Sequence, residues 1–281
     1  MSVRIIVDST ADLRPELQSR FTVVPLSIHF GDEEYIDGVT IDGHGFYEKL
    51  VESDVLPTTS QATPYQFQQV FEPAVTSGDT VVCITLASKL SGTYQSAVIA
   101  ATDYEGKVFV VDSESVAIGT GILAEYALSL ADDGLTAGEI AQKVTQKRSQ
   151  VRVLAMLDTL EYLKKGGRIS KTVAFAGELL SIKPVVSLQG GEIHVVGKAR
   201  GSKQGNNLLV REIQNAGGVD FSKPLLLGYT GITDALLQKY IVDSGALWEG
   251  NRENLPYTIV GSVVGTHAGP GAVAVAFFST N

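Results

Sequence analysis

TVVCITLASKLSGTYQSAVIAA, residues Thr80–Ala101, decides the fold. Thr80–Leu86 is a run of β-branched and apolar residues, the pattern of a strand buried on both faces. Ala97–Ala101 is apolar at helical spacing. Between them lies a small polar turn, Ser88-Lys89-Leu90-Ser91-Gly92-Thr93. Ser91 is predicted to cap the helix, and Gly92 to let a ligand come close to the backbone. The first N–H groups of a helix lack internal partners and carry the positive end of its dipole. A strand, a hydroxyl-rich turn and a helix start can therefore seat an anion. The same residues also describe an ordinary helix cap, so the choice rests on the rest of the chain.

Upstream, Val3–Asp8 is a short strand ending in Asp8-Ser9-Thr10, with Asp12 or Thr10 expected to cap a helix through Leu17. Val23–Leu26 reads as a strand, His29–Val39 as a hairpin and Phe46–Glu52 as a helix. Leu56–Gln61 is extended around Pro57. Thr63-Pro64-Tyr65-Gln66 is a capping box with proline at the first helical position. Downstream come the strand Lys107–Asp112 and helices over Gly121–Leu130 and Thr136–Ser149. Strands alternating with helices call for a mostly parallel sheet with helices on both faces, and such sheets bind ligands at their carboxyl edge.

From Val151 the texture becomes α+β, which places a soft boundary between an N-terminal α/β domain, residues 1–150, and a C-terminal domain with a mixed sheet, residues 151–281. A strand over Val151–Leu154 and a short helix over Asp158–Lys164 precede Gly166-Gly167 and Arg168. Val173–Leu180 reads as a helix with a broad apolar face. Gly190-Gly191 marks a hairpin between Lys183–Leu188 and Ile193–Lys198. Helices over Lys203–Asn215 and Asp234–Ser244 alternate with strands over Leu225–Tyr229 and Thr258–Val264. A glycine-rich loop, Gly265–Gly271, carries His267 into the last strand, Ala272–Phe278.

With 281 residues, two domains are the prior. Charged residues are only 19% against 44% hydrophobic, which describes a well-buried globular chain and excludes disorder. The net charge of -9 argues against a nucleic-acid partner. The lone cysteine, Cys83, falls in a buried strand and reads as core filling in a reducing compartment. The chain enters a strand at once, with no signal-peptide pattern. No apolar run approaches the ~20 residues of a membrane helix. A soluble, cytoplasmic protein is the expectation.

Three hydroxyl clusters end apolar segments: Asp8-Ser9-Thr10, Thr58-Thr59-Ser60 and Ser91-Gly92-Thr93. Each alone is turn chemistry; together on one parallel sheet they would converge on a small anion. Asp8-Ser9-Thr10 also reads as a phosphate or metal site, although it lacks a second matched carboxylate. His267 sits among glycines where something can come near it, and Arg168 could reach an anion in a cleft. His29, His44 and His194 have no supporting pattern. Ser91 lacks the Gly-x-Ser-x-Gly elbow, so a serine acyl hydrolase using Ser91 and His267 is the alternative. Neither a Gly-x4-Gly-Lys-Ser/Thr loop, a Gly-x-Gly-x-x-Gly turn nor a metal-spaced His/Cys cluster occurs, so no cofactor or metal is expected.

Asp8-Ser9-Thr10-Ala11-Asp12, Thr59-Ser60-Gln61, Leu90-Ser91-Gly92-Thr93-Tyr94-Gln95-Ser96-Ala97, Thr159–Ser170 (TLEYLKKGGRIS), Ile182-Lys183-Pro184 and His267-Ala268-Gly269-Pro270-Gly271 run in order along the chain. Together they resemble the DegV family of bacterial fatty-acid-binding proteins. The resemblance implies a non-catalytic, two-domain α/β protein enclosing one long-chain fatty acid such as palmitate. The carboxylate would lie between the domains, with the tail inside the C-terminal one. Carried over by motif, Thr59 and Ser91, with Gly92 and Thr93 beside them, would hold the carboxylate, and His267 and Arg168 would complete the network. Some relatives present the bound acid to a separate ATP-dependent fatty acid kinase for phospholipid synthesis. The basic stretch Gly197–Lys203, with Lys198, Arg200 and Lys203, is the candidate docking surface; it also reads as a plain solvated loop. Val173–Ile182 is expected to form part of the lipid slot's wall.

Overall fold

The computed structural model describes residues 2–169, 182–251 and 254–280. The helix and slot wall expected over Val173–Ile182 lie outside the described residues, apart from Ile182 itself.

Four strands form the parallel sheet: β1 (Val3–Asp8), β2 (Thr22–Val24), β6 (Thr80–Thr85) and β7 (Val108–Asp112), in the order β2-β1-β6-β7. All their pairings are parallel. The two-residue period of a strand assigns its faces. Ile5, Val7, Val82 and Ile84 turn toward α4 (Ile118–Asp132) and α5 (Ala137–Lys147). Ile6, Val81 and Cys83 turn the other way, toward α1 (Gly43–Glu52), α2 (Pro64–Thr76) and α3 (Thr93–Ala101). Cys83 is fully buried, and burial pushes its thiol pKa up, as core filling requires. The capping box forms: Thr63 accepts from Gln66 N, and the Gln66 side chain accepts from Thr63 N.

Two N-terminal readings fail. No helix is capped by Thr10 or Asp12; a 3-10 turn occupies Pro15–Arg20, and Asp12 is turned inward to a distant segment. The Thr58–Ser60 hydroxyls are not on the parallel sheet. They form β5 (Thr58–Ser60) of a separate antiparallel sheet with the hairpin β3 (Ser27–Phe30) and β4 (Glu33–Ile36), in the order β4-β3-β5.

The second half is built on a six-stranded mixed sheet of β8 (Val151–Met156), β9 (Ile182–Gln189), β10 (Glu192–Arg200), β11 (Leu226–Tyr229), β12 (Tyr257–Ile259) and β13 (Val273–Phe278). Its order is β10-β9-β8-β13-β11-β12. Gly190 and Gly191, at φ 55° and 79°, make the two-residue hairpin turn that only positive-φ residues close without strain. Between strands run α6 (Glu161–Lys165), α7 (Gly201–Asn215) and α8 (Ala235–Asp243). The molecule is thus a two-domain α/β protein. Its two sheets share a core, because α4 packs against Val7 and Ile84 on one side and against Leu226, Ala274 and Phe278 on the other.

The expected strand over Thr258–Val264 and loop over Gly265–Gly271 are also corrected. The strand stops at Ile259, and Ser262–Ala268 is a short helix, α9. The valine pair favours a strand by propensity, but packing overrides it. Val263 buries beside Phe46 and Tyr47, and Gly265 lies flat on Tyr47, where a Cβ would come within 2.5 Å of the phenol oxygen. Asp12 holds the start of this helix by accepting from Gly261 N at 2.7 Å.

Candidate functional site

A cavity of about 440 Å³ opens between the two sheets. Most of its wall is apolar: Leu26, Leu86, Leu90 and Val116 from the first half, and Val153, Ala155, Leu157, Val186 and Ala274 from the second. One part of the wall is polar, and there the structure brings together Thr59, Ser91, Gly92, Arg168 and His267. Thr93 stands behind that wall, fully buried, in contact with Ser91.

Each polar group arrives by a different route. Thr59 is carried by β5. Ser91 lies at the end of the turn after β6. His267 sits in the last turn of α9, where Gly269 at φ 71° ends the helix. Its Nε2 and the Thr59 hydroxyl share a hydrogen bond of 3.0 Å across 208 residues of sequence. Its Nδ1 is buried and has no partner among the described residues, because Gly166 lies directly against it. A Cβ on Gly166 would stand 2.2 Å from that nitrogen. Burial, and then the Arg168 charge, hold the His267 pKa down to about 4, so the ring is neutral at pH 7.

A neutral ring has one proton to place. A buried N–H without an acceptor costs more than a bare lone pair, so the proton belongs on Nε2, the nitrogen with a partner. Thr59 Oγ1 then accepts from His267, and the threonine proton is left for an acceptor in the cavity. Ser91 is arranged alike. Its Oγ accepts from Thr93 N at 3.3 Å and lies 3.0 Å from the Thr93 hydroxyl, which can donate to it. With that tautomer, both hydroxyls can accept from behind and donate into the cavity. Arg168 adds a fixed positive charge. Its guanidinium is anchored by donating from Nε to Leu90 O and from Nη1 to Gly166 O. The combination places two hydroxyls and a guanidinium at one end of a largely apolar cavity, chemistry that suits an anionic group with an apolar body attached.

Several expectations change in detail. Ser91 is not the helix cap: Gly92 holds that position, and Ser91 precedes it. Gly92 lines the cavity and is also closely approached by Gln61. A Cβ there would stand 2.2 Å from Gln61 Oε1. Gln61 in turn donates to Ser96 Oγ at 3.0 Å, locking β5 onto α3. Gln61 was visible in the sequence as part of Thr59-Ser60-Gln61, yet only the fold shows what it touches. Asp8 is a brace rather than a metal or phosphate ligand. Its oxygens accept from Thr10 N, the Thr10 hydroxyl and Leu86 N, joining the ends of β1 and β6. Among the described residues no group of His, Cys, Asp and Glu side chains could hold a metal ion.

A hydrolase needs a base on its nucleophile. Ser91 Oγ is bonded to Thr93, and the His267 ring is bonded to Thr59 instead, so Ser91 lacks that base. Of the basic trio, Lys198 and Arg200 lie on β10 and Lys203 in the first turn of α7; all three are exposed and away from the cavity wall.

Comparison with known proteins follows the same lines. The family model described as "Uncharacterised protein, DegV family" matches residues 2–280. A DegV domain-containing protein of Caldanaerobacter subterraneus is 34% identical over 280 residues, 98% of each chain. The solved structure described as fatty acid binding of a DegV family protein from Thermus thermophilus superimposes with a TM-score of 0.86 at 30% identity, covering 99% of this chain and 100% of that one. A stearic-acid-binding protein from Eubacterium ventriosum gives a TM-score of 0.84 at 26% identity, over 98% of this chain and 97% of the other.

Proposed function

Because the chain belongs to the DegV family, we propose that it is a non-catalytic carrier for one long-chain fatty acid such as palmitate. The observation that supports this reading is the pair of hydroxyls, Thr59 and Ser91, which line a largely apolar cavity beside Arg168 and are hydrogen-bonded from behind, Thr59 to His267 and Ser91 to Thr93. In this reading residues 1–150 supply Thr59, Ser91, Gly92 and Thr93 at the head, residues 151–281 enclose the tail, and Arg168 and His267 close the polar end.

The two parts of the ligand contribute differently. About fourteen methylenes at ~0.8 kcal/mol each give roughly 11 kcal/mol of gross transfer energy. Each hydrogen bond to the carboxylate contributes about 1.5–3 kcal/mol before desolvation is subtracted. The tail supplies the affinity, and the hydroxyls select an acid and fix its head. No cofactor or metal takes part in this reading, and nucleic acid has no place in it. No helix among the described residues is long and apolar enough to cross a membrane. In this reading the carrier works in the cytoplasm and exchanges the acid through transient membrane contact. Beyond carriage, the carrier would present the head to a separate fatty acid kinase, docking through Lys198, Arg200 and Lys203, for phospholipid synthesis.

The test is native mass spectrometry of the purified protein. The expected result is one co-purifying C14–C18 acid per chain. A chain that is empty and takes up no added fatty acid, or one loaded with nucleotide, would overturn the reading. Turnover of a chromogenic acyl ester that disappears in Ser91→Ala would do so as well.

A further inference from the structure

The cavity has an end as well as a mouth, and the strand register locates it. Val153 and Ala155 of β8 and Leu157 just beyond its end, at every second position, lie on its wall. Across the sheet Ala155 pairs with Val186 and Ala274, and Val153 pairs with Leu188 and Ala276. His267 belongs to the Leu157 end: Gly166, at the end of α6, packs on its ring, and Leu157, Leu163 of α6 and Ala272 form one buried cluster on the same wall. The Val153–Leu188 rung is therefore about 13 Å farther along β8, at ~3.3 Å per residue.

Beyond that rung lies a second depression of about 430 Å³ with a different character, lined by Glu114, Arg148, Arg152 and Glu212. The cavity and this depression have three lining residues in common among the described residues: Val153, Ser187 and Leu188. Those three residues therefore border both spaces. Val153 is held in place, because Gly119 lies so close that a Cβ there would be 2.3 Å from Val153 Cγ2. The Ser187 hydroxyl accepts from Gln189 Nε2 at 2.9 Å. Leu188 is buried beside the hairpin turn and closes the remaining gap.

Building on the carrier reading, we propose that Val153, Ser187 and Leu188 form the end wall of the tail cavity and set the longest acyl chain it admits. Each methylene that finds room inside raises affinity roughly fourfold, from ~0.8 kcal/mol of transfer energy. A chain that outgrows the cavity meets a depression lined by charged side chains and gains nothing from its terminal carbons. Affinity should therefore climb with chain length, reach a maximum, and stop climbing.

The experiment measures binding of a series of saturated acids, lengthened by two carbons at a time, to the wild type, to Leu188→Ala and to Leu188→Phe, with thermal melting as the check on folding. In the wild type the roughly fifteen-fold gain per two carbons should end at a definite length. Leu188→Ala should move the maximum at least two carbons longer, and Leu188→Phe at least two carbons shorter. A maximum that stays put in either folded variant overturns the end-wall assignment alone. Should neither variant fold, the wild-type series decides: affinity still rising steeply for acids beyond twenty carbons overturns the assignment. A wild type that binds no acid of any length overturns the carrier reading and this proposal with it.

Discussion

Thr59→Val removes one oxygen and keeps the shape. Valine is β-branched like threonine and suits the extended backbone of β5, so the strand and its pairing to β3 should persist. Two bonds are lost. The first is the 3.0 Å contact to His267 Nε2, a neutral, partly buried hydrogen bond contributing about 1 kcal/mol to stability. The second is the bond that the threonine proton would make to a carboxylate, about 1.5–3 kcal/mol, or roughly ten- to hundred-fold in Kd. Calorimetric titration with palmitate measures that loss. The methyl ester of the same acid serves as control: it keeps the tail but lacks the charge, so wild type and variant should bind it within about a factor of three. An unchanged palmitate Kd in a folded Thr59→Val protein would refute the reasoning. An equal loss for acid and ester would also refute it, by showing that the side chain shapes the tail rather than the head.

Further expectations follow from the same geometry. Ser91→Ala should weaken palmitate binding by a similar ten- to hundred-fold and, by unpairing the buried Thr93 hydroxyl, cost about 1–3 kcal/mol of stability without unfolding the chain; calorimetry and thermal melting check both halves. His267 has a folded pKa of about 4 against 6.5 in the free side chain, so the folded state resists a proton that the unfolded state accepts. That stability is complete above pH 6.5 and is lost as the pH falls toward 4, by at most about 3 kcal/mol at 1.36 kcal/mol per unit. Asp8, Asp12 and Asp37, whose pKa values are raised by burial, act in the opposite direction. Urea melts at pH 7 and 4.5 should therefore be read as the difference between wild type and His267→Asn, with the variant losing less on acidification. Gly92→Ala should cost about 1–3 kcal/mol by driving a methyl group into Gln61, and the double variant with Gln61→Ala should recover part of it in a denaturant melt. Arg200→Glu should lower capture of a fatty acid kinase in a pull-down without altering palmitate affinity.

Much of this was legible in the chain because local chemistry and tertiary structure agree there. Thr80–Thr85 is apolar on both faces and is a central strand of the parallel sheet. Thr63 and Gln66 form the capping box their spacing announces, and Gly190-Gly191 turns the hairpin it signals. The failures occur where distant packing decides. Val263 and Val264 look like strand residues, yet Phe46 and Tyr47, more than two hundred positions earlier, provide a surface that fits a short helix. Gly92 advertises a close approach, but nothing local says that Gln61 is one of the groups packed against it. The Thr59–His267 pair is the clearest case. Resemblance to relatives names both residues, while their hydrogen bond exists only once α9 lies against β5.

The central claim is that an acid head is held by Thr59 and Ser91 while its tail fills the cavity between the sheets. A crystal structure with palmitate brominated at its terminal carbon tests it most directly. The account predicts carboxylate density within hydrogen-bond distance of Thr59 Oγ1 and Ser91 Oγ, with the anomalous bromine peak inside the cavity, near Val153 and Leu188. A bromine peak beside His267, with the carboxylate at the far end or in solvent, would contradict it.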